Sequence, residues 1–75
     1  MNKETDRDYD CFAVKSKDNK YYCGYNHWDE QLRKAKLYHW YKMAKEIADD
    51  IRFMELEPYI VHVTIVENGI ADYEN

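Results

Sequence analysis

Hydrophobic positions change their period along the chain, and the changes mark the elements. From Tyr9 to Tyr25 the strand formers Phe12-Ala13-Val14 and Tyr21-Tyr22-Cys23 flank the polar stretch Lys17-Asp18-Asn19-Lys20. Asp and Asn tolerate the positive φ that tight hairpin turns need, so the segment reads as a β-hairpin. With Asp18-Asn19 as a two-residue loop, Ser16 faces Tyr21, Val14 faces Cys23 and Phe12 faces Tyr25. Those six share one side of the sheet. Cys11, Ala13, Lys15, Tyr22 and Gly24 share the other.

From His39 the period becomes helical. Tyr41, Ala44, Ala48 and Ile51 recur at steps of three and four, and Trp40, Ile47 and Met54 widen the stripe. Lys42, Lys45, Glu46, Asp49 and Asp50 take the opposite, solvated face. Pro58 stops the helix, because the residue before a proline avoids the α region. The segment 26–38 reads two ways. Asn26 or Asp29 could cap a helix beginning at Asp29-Glu30, or Ala35-Lys36-Leu37-Tyr38 could be extended.

Period two returns in Tyr59 to Glu67. Tyr59, Val61, Val63 and Ile65 face one way; Ile60, His62, Thr64 and Val66 face the other. Both sets are largely apolar, which predicts a central strand. Asn68-Gly69 is a tight-turn signal, and Ile70 to Tyr73 can fold back as a short fourth strand.

The expected fold class is therefore α+β: a small antiparallel sheet in ββαβ order, hairpin plus C-terminal strand, packed on one amphipathic helix. The domain spans residues 9–67, with a flexible N-terminal segment at 1–8 and a turn and short strand or tail at 68–75. The helix is expected to bury Ala44, Ile47, Ala48 and Ile51 on the face made by Phe12, Val14, Cys23 and the Tyr59/Val61/Val63/Ile65 side.

Composition limits what such a fold can do. With 75 residues the core is thin, but eight Tyr, two Trp and two Phe supply large apolar area. Met1 to Asp10 contains no apolar run, and the longest apolar stretch, Tyr59 to Val66, is too short to span a bilayer. These features predict a cytoplasmic protein with no membrane partner and with free thiols at Cys11 and Cys23, which the hairpin register places on opposite faces.

Net charge is −4. Residues 47–75 carry seven acids against one cation, Arg52, while residues 11–46 lean basic. Lys15, Lys17 and Lys20 beside Tyr21 and Tyr22 are ingredients of a single-strand platform, yet the acidic whole opposes phosphate binding, so no nucleic acid is expected. Asp49, Asp50, Glu55 and Glu57 form the alternative, an acidic face that imitates DNA phosphates and inhibits a DNA-binding protein or defence enzyme.

Cys11, Cys23, His27 and His39 are separated by eleven, three and eleven residues, which lacks the close pairing of structural zinc sites. No metal and no cofactor are expected. Two glycines cannot build a phosphate-cradling loop, no nucleophile elbow is present, and no catalytic residue is assigned.

The aromatic band from Tyr21 to Tyr41 points instead to protein recognition. One helix covers one side of a small sheet, leaving the other side for a partner or for a second copy across a two-fold axis. The candidate interface is Tyr22, Trp28, Ile60, His62 and Val66, with His62 as a pH-sensitive member. The expected function is a non-enzymatic protein-binding module.

Several stretches resemble a loose group of small uncharacterised phage and prophage proteins of Gram-positive bacteria. They are Phe12-Ala13-Val14-Lys15, Asp18-Asn19-Lys20-Tyr21-Tyr22, Leu32-x-x-Ala35-x-Leu37-Tyr38, Ala44-x-x-Ile47-Ala48 and the strand Ile60 to Val66. The resemblance covers residues 10–67 and departs from the group at the Trp40-Tyr41 helix start. It implies a hairpin, helix and strand, and an accessory intracellular role as a modulator of a host or phage protein. It carries over no catalytic residue.

Overall fold

The computed structural model describes residues 9–66 and 69–74. The chain is α+β, with five antiparallel strands in the order β3-β2-β1-β4-β5. These are β1 (Tyr9–Lys15), β2 (Tyr21–Gly24), β3 (His27–Asp29), β4 (Tyr59–Val66) and β5 (Gly69–Glu74). Among the described residues, the sheet is joined by one α-helix, α1 (Tyr41–Ala48), and by 3-10 turns at Leu32–Lys34 and Ile51–Leu56. The flexible segment expected at 1–8 lies outside the described residues, as do positions 67 and 68 of the expected turn.

The strongest pairing joins β1 to β4, in unbroken register from Tyr9↔Ile65 to Lys15↔Tyr59. Alternation then sorts the side chains. Cys11, Ala13, Tyr21, Val61, Val63 and Ile65 pack on one face; Phe12, Val14, Tyr22 and Ile60 pack on the other with α1.

The hairpin register differs from expectation by one residue. Lys15, rather than Ser16, pairs with Tyr21. The loop holds three residues: Asn19 N–H donates to the Ser16 carbonyl, Ser16 N–H donates to the Lys20 carbonyl, and Asn19 is left-handed at φ 65°. A type I turn closed by a left-handed residue gives this geometry. The buried Ser16 hydroxyl stabilises it by accepting from the Asp18 and Lys20 amides. One added loop residue moves Tyr22 to the helix side.

The helix also packs on the opposite face of β4 from the one expected. It meets Ile60, while Val61, Val63 and Ile65 line the far side. That far side is covered by Leu32, Ala35 and Leu37, so the segment 32–38, a short 3-10 turn followed by extended chain, packs on the sheet rather than continuing the α-helix back from residue 41. After the hairpin base β1 and β2 splay apart, and Lys36–Tyr38 enters the gap. Lys36 N–H donates to the Tyr22 carbonyl, and Tyr38 exchanges both backbone hydrogen bonds with Phe12, at 2.8 Å each. Leu37 joins the far-side cluster and Tyr38 the helix-side cluster. The chain thereby crosses the sheet from one face to the other.

The helical stripe breaks at Asp49-Asp50. Asp50 adopts extended φ and ψ, and its carboxylate accepts the Arg52 amide at 2.9 Å, starting a 3-10 helix. The phase change turns Ile51 to solvent, 77% exposed, and buries Phe53. Ile51 is therefore no part of the core. The Arg52 guanidinium and amide hold the Asp50 carboxyl below the usual carboxylate range. The helix had already ended at Ala48, ten residues before Pro58.

Candidate functional site

The expected hairpin strand carrying Gly24 and Tyr25, with Tyr25 opposite Phe12, ends instead at Gly24, and Gly24 to His27 forms a turn. Tyr25 and Asn26 both have positive φ, 52° and 65°, and Gly24 pairs with His27 across them. This is the geometry of a two-residue hairpin turn with mirror-image dihedrals, which favours Asn-Gly or Gly-rich pairs. Gly24, at φ 97°, needs to be glycine. Tyr25 is the anomaly: a bulky side chain in the left-handed region and 93% exposed.

The mount beneath Tyr25 is fixed by two hydrogen bonds and two ring contacts. Asn26 N–H donates to the Tyr22 hydroxyl at 3.3 Å. Arg52 Nη1 donates to Asn26 Oδ1 at 3.2 Å, tying the turn to the second 3-10 helix. Tyr22 itself is 6% exposed, with its ring centroid 5.2 Å from that of Trp28 and 5.3 Å from that of Phe53.

Beside the turn lies an open cleft of about 280 Å³ lined by Tyr22, Gly24, Tyr25, Lys36, Tyr38 and Ile47. Its walls are mainly apolar, and its lining residues include three tyrosines and one lysine. Burial, with the neighbouring Tyr22 adding to it, pushes the Tyr38 hydroxyl above the ordinary tyrosine value, so it stays a neutral hydrogen-bonding group. Lys36 Nζ sits 5.8 Å from the Tyr38 ring centroid. Such a lining suits an apolar or aromatic side chain carrying a polar tip.

The residues nominated from sequence do not form one surface. Tyr22 is buried in the helix-side cluster against Trp28 and Phe53, and Trp28 is half-buried against Phe53. Ile60 is half-buried in the helix-side cluster. His62 stacks on Phe12 at 5.5 Å, and its Nε2 lies 3.3 Å from Asp10 Oδ1, which also accepts from the Thr64 hydroxyl. Val66 is in β4, opposite Gly69, and its side chain lies outside the described residues. Tyr22 shares its face with Ile60 and His62, but Cys11 and Ala13 belong to the opposite one.

Within the proposed acidic face, Asp49 pairs with Lys45 at 3.0 Å, Asp50 with Arg52 at 2.8 Å and Glu57 with Lys17 at 3.4 Å. Three of its four carboxylates thus share their charge with a cation of this chain. Tyr21 and Tyr22 are both buried, so the basic hairpin presents no stacking platform from these rings. Tyr25, Lys36 and Tyr38 were missed as site residues; the flanking Gly24 and Asn26 were the available turn signal.

Both thiols are free. Burial, reinforced by Asp10, raises the Cys11 thiol above its ordinary value; burial, then Asp29, raises that of Cys23. Cys23 donates to the Tyr21 carbonyl at 3.4 Å. Thiolate is the reactive form, so both should alkylate slowly at neutral pH, Cys11 more slowly than Cys23. Mass-spectrometric timing of iodoacetamide labelling, with denatured protein as the fast reference, checks the order. Rapid labelling of Cys11 in the native state would contradict its placement.

Among the described residues no group of three His, Cys, Asp or Glu side chains is placed to hold a metal ion, and no helix is long and apolar enough to cross a membrane. Comparison with protein-family models, curated proteins and solved structures finds no match.

Proposed function

We propose that the chain is a non-enzymatic protein-binding module whose recognition site is the cleft and the Tyr25 turn beside it. Tyr25 carries the reading. A non-glycine residue in a sparsely populated backbone region costs about 1–3 kcal/mol, and such strain concentrates at functional sites. Here the side chain recovers almost nothing by burial, since it is 93% exposed. A residue that costs stability and adds no packing is best explained by contacts made outside the chain. Tyrosine is also among the residues enriched in binding hot spots.

The resemblance to small phage and prophage proteins supports an accessory role, in which a host or phage protein is modulated by occupancy rather than turnover.

Replacing Tyr25 by Asn separates fold from function. Asn accepts left-handed φ more readily, so the variant should be about 0.5–1 kcal/mol more stable. It should also lose roughly tenfold or more of its affinity for the cognate protein. Wild-type and Tyr25→Asn baits, compared in capture from a host-cell lysate and then by titration of the captured protein, give the answer. Equal capture by both baits would sink the assignment of Tyr25.

A further inference from the structure

We infer that the partner segment seated in the cleft is acidic, with an Asp or Glu carboxylate beside the apolar or aromatic side chain that fills it. This rests on the cleft being the recognition site, and it names the chemistry that the cleft selects.

Two hydrogen-bond donors line the cleft without an acceptor. Lys36 is exposed, and its ammonium forms no ion pair among the described residues. Its stem is nonetheless placed: Cδ is 3.5 Å from where a β-carbon on Gly24 would stand, and Nζ is 5.8 Å from the Tyr38 ring centroid. The stem thus lies along the wall, with the charge at its end beside the Tyr38 ring. Tyr38 is 7% exposed, and its hydroxyl makes no hydrogen bond among the described residues. No side-chain polar atom fully shut off from solvent lacks a partner there. The small exposed part of Tyr38 therefore includes its hydroxyl, and the cleft is the opening that Tyr38 lines.

A carboxylate answers both donors. It only accepts hydrogen bonds, has about four lone-pair sites, and holds an ammonium more strongly than a neutral acceptor does. A phosphoryl group fits less well. It carries about −1.5 to −2 of charge and is typically met by arginine forks. The cleft is lined by one ammonium, and the Arg52 guanidinium is already committed to Asp50 and Asn26. No acidic residue is among those lining the cleft, so no carboxylate of the wall repels the guest. The net charge of −4 acts from farther off and is screened over about 8–10 Å. At about 280 Å³ the cleft falls below the roughly 300–1,000 Å³ of drug-sized ligand sites and suits one large side chain.

Amide NMR spectra of the isotope-labelled full chain, titrated with two short peptides blocked at both ends, test this. One peptide carries Phe beside Asp, the other Phe beside Asn. The Asp peptide should shift the Gly24, Lys36, Tyr38 and Ile47 amides and saturate at or below about 1 mM, the weak limit of specific association. The Asn peptide should bind about five- to tenfold more weakly, the difference between a charged and a neutral hydrogen bond. Lys36→Gln should bind the two peptides alike, and Tyr38→Phe, which keeps the ring, should lose part of the preference. Wild-type protein that binds both peptides equally at the cleft would overturn the acidic assignment and leave the recognition site standing. A phosphotyrosine peptide that binds more tightly than the Asp peptide would overturn the choice of carboxylate. Peptides that move no cleft amide would overturn the inference outright, and the Tyr25→Asn capture then decides separately whether the turn recognises a protein at all.

Discussion

Tyr22→Ala should remove a large part of the domain's stability. The ring is packed against Trp28 and Phe53, and truncating a buried aromatic costs about 3–5 kcal/mol. At roughly 0.05–0.15 kcal/mol per residue, a chain of this length has about 4–11 kcal/mol to lose. The substitution also removes the hydroxyl that accepts the Asn26 amide, loosening the turn that carries Tyr25. Tyr22→Phe isolates that second effect and should cost about 0.5–1.5 kcal/mol. Urea titration followed by circular dichroism orders the series. A Tyr22→Ala midpoint close to that of the wild type would mean that this ring is not in the core.

The same residue shows how far the sequence could be read. Alternation gave β1 and β4 correctly as strands, and an α+β fold follows from strand, helix and strand in that order. Which face each side chain takes was decided elsewhere, by the number of residues in one loop. Asp18-Asn19 and Lys17-Asp18-Asn19 are both acceptable turns locally, and only tertiary packing chooses. The choice of three exchanges the faces of Tyr21 and Tyr22, turning a supposed interface residue into the centre of an aromatic cluster.

A comparable ambiguity ended the helix early. The apolar stripe continues in sequence through Ile51 and Met54, but Asp50 offers its carboxylate to the Arg52 amide and resets the phase. Side-chain capping inside a periodic pattern leaves the hydrophobic spacing intact, so periodicity alone does not register it. The candidate site was less legible still. Gly24 and Asn26 announce a turn, but Tyr25 between them reads as a strand former. Its left-handed conformation is visible only in the structure. The cleft depends in addition on Lys36 and Tyr38, which reach it because their segment enters the gap between β1 and β2.

That crossing segment gives the second large expected effect. Leu37→Asp should destabilise the domain by about 2–4 kcal/mol, since it directs a carboxylate toward the cluster of Cys11, Tyr21, Val63 and Ile65. In a plain hairpin with residues 29–38 forming an outlying loop, the same change would be nearly silent. The pH dependence separates burial from a general loss of packing. A carboxyl forced into apolar surroundings has its folded pKa raised above its unfolded value of about 3.9. Between those two values the native state then holds more protons than the unfolded state, so stability falls as pH rises. The penalty should therefore be smallest below about pH 4, where the new group is protonated in both states, and should reach its full size at neutral pH. Leu37→Asn, of similar shape but with no charge to titrate, should show no such trend. Parallel urea titrations of both variants and the wild type at acid and neutral pH measure the difference. A Leu37→Asp penalty that is small, or that stays constant with pH, would remove the segment from between the strands.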